Sequence, residues 1–193
     1  SRCYWKILLK RYETVVGLHD HAHEKSSCGV GFITRKDGVQ THKLLEKGHE
    51  ALCSVPHRGG MSAEGVGDGA GVSVDLSIEF FQTITNTDLK AGQFGVGNFF
   101  MPNKQEQRDK ACQLIASSLA DSGLKILAER DIAVDNGVLR SAAIDLQLPI
   151  TQWIFLAPEG ISGVKFEKLI YSVLLAIESQ AYTDVELEGL YPL

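Results

Sequence analysis

A chain of 193 residues is long enough for one domain with a sizeable core. Its composition, 44% hydrophobic and 22% charged, sets disorder aside, and a net charge of -5 argues against a general nucleic-acid binder, which needs a basic face to neutralise phosphates. No apolar stretch approaches the ~18 to 20 residues of a membrane-spanning helix, the nearest, LIYSVLLAI, being too short, so a soluble protein with small-molecule or protein partners is expected.

The opening SRCYWKILLKRY carries four Lys/Arg and no acid before Glu13. It lacks the apolar core and cleavage site of a signal peptide and leaves organelle targeting open beside the cytoplasmic reading. Residues 1–27 are expected to form a leader-like segment. His19, His21 and His23 alternate as three imidazoles on one strand face would, which is the pattern of a metal site. Local variation is the reading preferred for them, and no metal is assigned.

Strand-like and helix-like segments then alternate, punctuated by Gly, Pro, Asn and Asp, as in a protein built from both α and β elements. CGVGFIT (28–34), AGVSVDL (70–76), QFGVGNFFM (93–101), LKILAERDI (124–132) and TQWIFLA (151–157) are rich in β-branched and aromatic residues and predict strands. THKLLEKGHEALCSV (41–55) predicts a helix with Leu44, Leu45, Ala51, Leu52 and Val55 on one face, stopped by Pro56. KQEQRDKACQLIASSLADSG (104–123) predicts a second, with Ala111, Leu114, Ile115, Ser118 and Leu119 as the buried stripe and Gly123 as its C-terminal cap. KFEKLIYSVLLAIESQA (165–181) is apolar over more than half its circumference and is expected to pack on two sides; SIEFF and NGVLRSAAI read as shorter helices. No repeat, linker or low-complexity tract divides the chain, so one unit is expected.

Four cysteines, Cys3, Cys28, Cys53 and Cys112, occur without a CxxC pair, which predicts reduced thiols and neither a zinc cage nor a dense disulfide framework. Cys53 and Cys112 fall on the apolar faces of helices and read as core. Cys28 sits differently, at the threshold of a strand and followed by Gly29, Val30 and Gly31. A second unusual stretch, VPHRGGMSAEGVGDGAG (55–71), is too dense in glycine to be core. Glycines allow positive φ and let backbone N–H groups point at a ligand, yet no GxxxxGK[ST] and no helix-opening GxGxxG is present, which argues against nucleotide binding.

Taken together, GLHDHAHEKSSCGVGFI, VPHRGG, GDGAGVSV, FGVGNFFMPN, GLKILAERDIAVDNGVLRSAA and KFEKLIYSVLLAIE resemble, in order, the glutaminase domain of glutamate synthases, a class II glutamine amidotransferase. The resemblance covers nearly the whole chain after residue 17. It implies an α+β fold of the N-terminal nucleophile hydrolase type, an αββα sandwich of antiparallel sheets, with residues 28–193 forming its N-terminal part and the fold therefore incomplete. It implies that a leader is removed so that Cys28 becomes the first residue and its own α-amine takes the thiol proton. An ordinary thiol near pKa ~8.5 is only a few per cent thiolate at neutral pH, and an amine near ~8 is matched to accept its proton.

Carried onto this sequence, the resemblance makes Cys28 the nucleophile toward the glutamine carboxamide and Arg58 a substrate-binding guanidinium. Gly29, Gly59 and Asp68 become residues of the site loops. Glutamine is the implied substrate, and the remaining glutamate synthase domains or a subunit are the implied partners; flavin (FMN) and an iron–sulfur cluster are implied for those other domains and no cofactor for this chain. The family's His-Asn-Gly-Glu and Arg-x-Ser-Thr stretches are missing here, and Asn136-Gly137 reads as a turn or helix start. Losing one oxyanion donor usually costs about 2.7 to 4 kcal/mol of transition-state stabilisation, so the chain is expected to be a poor glutaminase alone. The other expectation is a non-catalytic module that keeps the glutaminase core for folding or subunit contact.

Overall fold

The computed structural model describes residues 29–54, 69–139 and 141–192. The chain divides into two compact units, 1–75 and 76–193, and each is described by itself.

In the N-terminal unit, helix α1 (His42–Ser54) forms where the apolar period predicts it. It buries no residue fully; Leu44, Gly48 and Leu52 are half-buried, and a Cβ added to Gly48 would touch the Val72 methyls at 3.6 and 4.0 Å. The helix thus rests one side on the 70–76 segment. That segment and residues 29–34 are not strands, contrary to the expectation. Both lack regular structure and are exposed, with Val30 at 101% and Phe32 at 91% of full exposure. A β-rich composition describes a side chain that suits a half-buried pleated surface, and the ladder still needs a partner, which the described residues do not offer either segment.

The C-terminal unit is built on β1 (Phe94–Phe100), β2 (Lys125–Asp131), β3 (Ile150–Leu156) and β4 (Tyr191–Pro192), one antiparallel sheet in the order β2-β3-β1-β4. The three longer strands match three of the five expected. β1 pairs with β3 without a break from Phe94↔Leu156 to Phe100↔Ile150, while β2 meets β3 through a bulge between Ile126 and Ala128. The class is α+β, and the described residues supply one such sheet.

On one face of the sheet lie α3 (Gln105–Asp121) and, after the short helix α4 (Ser141–Asp145) in the chain, α5 (Val164–Thr183), α3 and α5 closing a core that includes Phe99, Met101, Ile115, Trp153, Phe155 and Phe166. Each such side chain contributes roughly 1.5–3 kcal/mol on leaving water. α3 buries Ala111, Ile115 and Leu119, the stripe its sequence predicts. It ends as expected at Gly123, whose φ of +75° only glycine adopts without strain; the Gly123 and Leu124 N–H groups donate to the Ala120 and Leu119 carbonyls at 2.9 Å. α5 departs from expectation by burying one side only: Phe166, Val173 and Ile177 face the core, and Tyr171, Leu175 and Tyr182 are exposed. Its wide apolar arc exceeds what one sheet face can cover.

Glycine in the middle of β1 lets α5 come close. A Cβ on Gly95 would stand 2.6 Å from Phe155 Cε2 and 3.0 Å from Ile170 Cδ1, so the missing side chain is what admits the phenyl ring. On the opposite face α2 (Ile78–Thr85) packs Phe81 with Leu89, Phe94 and Ile154. Ser77 caps its start by accepting from the Phe80 N–H, and Asn86 ends it with φ of 48°. The same sheet face carries a polar ladder across three strands, Gln152 donating to Asn98 and accepting from Arg130, both at 2.9 Å. The Arg130 guanidinium sits 5.5 Å above the Phe80 ring.

Candidate functional site

Of the residues expected in the site, Cys28, Arg58, Gly59 and Asp68 lie outside the described residues, as do His19, His21 and His23. Gly29 is described, exposed and outside any helix or strand. Two residues on, a Cβ added to Gly31 would meet no atom of the described residues within 4 Å, so their packing does not require glycine there. At the end of the second glycine-rich stretch Gly69 has φ of +90°, a conformation that does demand glycine, and Gly71 again has open space. One glycine therefore shapes the backbone, and two leave room beside it.

The described charges near these segments are local. Past residue 34 the chain turns at Arg35 and Asp37, the Arg35 Nε donating to Asp37 Oδ1 at 2.8 Å. That guanidinium holds the Asp37 carboxyl at about 2, which fixes the turn and leaves the carboxylate no proton to give at neutral pH. In α1 the Cys53 sulfur lies 3.7 Å from His49 Nε2, and Cys53 is disulfide-bonded. Cys53 is half-buried near the exposed end of a helix, which departs from both the core position and the reduced state expected of it. Cys112 in α3 packs against the core, as expected, and donates to Glu129 Oε1 at 3.4 Å. Burial first, then the neighbouring Glu129 carboxylate, push its thiol up to about 12, an unreactive state.

The C-terminal unit offers two surface grooves. One of about 530 Å³ runs along α3 and the end of α5, lined by Lys110, Gln113, Ser117, Gln180 and Asp184; the other, of about 520 Å³, is apolar and lined by Phe100, Leu139, Leu146, Ile150 and Tyr191. Neither contains an expected site residue. Asn136 and Gly137 open a short 3₁₀ turn, Asn136–Val138, capped by Asp135, whose carboxylate accepts from the Gly137 N–H at 2.9 Å. They are thus the helix start that the sequence suggests, with the Gly137 N–H turned to a local cap. Among the described residues no helix is long and apolar enough to cross a membrane.

Comparison with known proteins places these observations. The family model of class-II glutamine amidotransferases matches residues 28–192. The glutamate synthase [NADH] of Saccharomyces cerevisiae is 34% identical over 145 residues, covering 70% of this chain and 7% of its own length. Ferredoxin-dependent glutamate synthase 2 of Synechocystis is 33% identical over 153 residues, 77% of this chain and 10% of its own. The glutamate synthase [NADPH] large chain of Bacillus subtilis is 28% identical over 173 residues, 87% of this chain and 11% of its own. The chain thus spans about a tenth of the length of these relatives. A match to the family model from residue 28 to residue 192, joined to colinear likeness with glutamate synthases, makes this chain a member of the class-II glutamine amidotransferases, the N-terminal domain type of glutamate synthase.

Proposed function

We propose that this domain takes ammonia from glutamine with Cys28 as nucleophile, for use in glutamate synthesis. The observation that carries the reading is the family match beginning at residue 28, the cysteine itself. The space beside Gly31 among the described residues supports it, since a glycine with no packing duty three residues after the cysteine in sequence leaves room for a substrate side chain.

In the proposed reaction the backbone is cut ahead of Cys28, whose freed α-amine takes the proton from its thiol. The thiolate attacks the carboxamide carbon of glutamine, and the tetrahedral adduct collapses as the ammonium returns its proton to the leaving nitrogen. Ammonia departs and a γ-glutamyl thioester remains. Water, activated by the same amine, then cleaves the thioester, giving glutamate and the free thiol. Arg58 holds the substrate carboxylate, with Gly29, Gly59 and Asp68 shaping the surrounding loops. The partners are the remaining domains of a glutamate synthase, which consume the ammonia.

Flavin and an iron–sulfur cluster belong, on this reading, to those other domains. Cluster ligation takes several cysteine thiolates; Cys53 is disulfide-bonded, and Cys112 is the one cysteine in the sequence after it.

A diazoketone analogue of glutamine, incubated with the chain beginning at Cys28 and with the uncut chain, tests the proposal by peptide mass mapping. Covalent label on Cys28 in the first chain, absent from the second and from Cys28→Ala, is the expected result. An unlabelled Cys28 with a free amine overturns it.

A further inference from the structure

Helix α5 is apolar on two opposite sides, and the core takes only one of them. Phe166, Val173 and Ile177 are buried, whereas Val164, Tyr171, Leu175 and Tyr182 are exposed, from 46% for Leu175 to 94% for Tyr182. At ~100° per residue these four, together with the exposed Lys168 and Glu178, fall within about 40° of one line along the helix, on the side opposite the buried residues. The six follow one another at intervals of four, three, four, three and four residues, the seam spacing of a helix that packs lengthwise on another helix.

The order along this seam is self-complementary. Turned end for end about Val173, the helix sets Val164 against Tyr182, Lys168 against Glu178 and Tyr171 against Leu175, because the members of each pair stand equally far from residue 173. Two α5 helices related by a two-fold axis therefore make every match twice. A parallel pair in register sets Lys168 on Lys168 and Glu178 on Glu178 instead, and is disfavoured. Within one helix the two charges are ten residues apart, roughly 15 Å along the axis and out of each other's reach. Among the described residues neither has an ion-pair partner.

We infer that the outer face of α5 is a docking surface for a second copy of this chain, seated antiparallel with Lys168 of each copy against Glu178 of the other. One helix on one helix covers less than the ~1,200 Å² at which stable complexes begin, so the pair is weak and reversible, with a Kd on the order of 100 µM. Polar residues inside an apolar seam lower affinity and fix register, which is the part that Lys168 and Glu178 play. The inference concerns α5 alone and stands whether or not Cys28 is a nucleophile.

Sedimentation equilibrium of the 193-residue chain and of two charge reversals, Lys168→Glu and Glu178→Lys, tests it. Either reversal alone creates two like-charge contacts and is expected to weaken dimerisation at least ~10-fold. An equimolar mixture of the two variants re-forms both ion pairs and is expected to associate as tightly as the wild type, which also shows that each variant is folded. A chain that stays monomeric up to ~1 mM overturns the proposal and leaves the seam to a different occupant, such as the remaining length of a glutamate synthase. A dimer indifferent to either reversal, or a mixture no tighter than the single variants, overturns it as well, since in neither case does Lys168 meet Glu178 across a two-fold axis.

Discussion

Helices α1 and α3 carry the same kind of message and meet different fates. Both set apolar residues at helical spacing, yet α3 buries Ala111, Ile115 and Leu119 completely while α1 buries nothing completely. The difference lies in the surface opposite. α3 lies with α5 on a sheet face that contains Trp153 and Phe155, whereas the described contact of α1 is a segment without regular structure touching it at Val72. Periodicity selects which side of a helix is apolar; the depth of burial depends on the partner. The described stability of this chain therefore resides in the C-terminal unit, and the residues proposed for chemistry belong to the other.

Truncating one aromatic in each unit breaks that comparison most directly. Phe166 is 2% exposed within the α3–α5 core, and Phe166→Ala is expected to cost about 3–5 kcal/mol. Phe32 is 91% exposed, and Phe32→Ala is expected to change stability by under about 0.5 kcal/mol. Urea unfolding followed by far-ultraviolet circular dichroism measures both, since helices of both units, α1 in the first and α3 and α5 in the second, contribute to the signal. Comparable losses for the two variants would show that the N-terminal unit is as tightly built as the other.

A smaller effect is expected inside the larger core. Gly95→Ala places a Cβ 2.6 Å from a ring atom of Phe155, itself only 3% exposed and enclosed by Phe166 and the sheet. The ring cannot swing into solvent, so overpacking of about 1–3 kcal/mol is expected in the same urea assay. At Gly31 the identical change meets open space, and Gly31→Ala leaves the unfolding midpoint unmoved. Equal effects at the two glycines would contradict the close approach of α5 to β1.

These glycines also mark what the sequence makes legible. The three strands of the sheet, the stripe of α3 and its cap at Gly123 follow from local chemistry, because each depends on neighbours a few residues away. Residues 29–34 and 70–76 share that strand-like composition and find no ladder partner among the described residues, since a ladder depends on distant chain and not on the segment itself. β4 shows the reverse. Tyr191 and Pro192 carry no strand pattern, and they pair only because the turn at Gly189, with φ of +97°, returns them to β1. Of the candidate site, the motif order pointed to the family, while the arrangement of Cys28 and Arg58 depends on residues outside those described.

Cys112 sharpens the contrast between a structural and a reactive thiol with a smaller effect on stability. Held up to about 12, mainly by burial, it should resist iodoacetamide near pH ~8 in the native chain and react at least ~100-fold faster once unfolded, as the thiolate fraction recovers. Glu129→Gln removes the second cause and keeps the first, so native alkylation should quicken only in part. The sign for stability is that of a raised pKa: the contribution is complete below the ordinary thiol value and is lost as pH rises toward the folded one. Rapid native labelling of Cys112 would show that α3 does not seat as described.

The smallest effect is expected where the last turn of the chain is tied to α3. Lys110 Nζ lies 2.7 Å from Asp184 Oδ2 and also pairs with Glu186, all three side chains reaching solvent. The ammonium holds the Asp184 carboxyl below its ordinary range, and the two carboxylates hold Lys110 above its own. A lowered carboxyl contributes fully above its unfolded pKa and loses that contribution as pH falls through the folded value. A raised ammonium contributes fully below its unfolded pKa and loses it as pH rises through the folded value. The advantage of the wild type over Lys110→Met should therefore be greatest at neutral pH and vanish toward both extremes. It should also shrink at about 1 M salt, where the screening length falls to ~3 Å. A difference in unfolding midpoint that persists unchanged into strong acid would assign the role of Lys110 to the packing of its methylene stem against the 530 Å³ groove, and not to its charge.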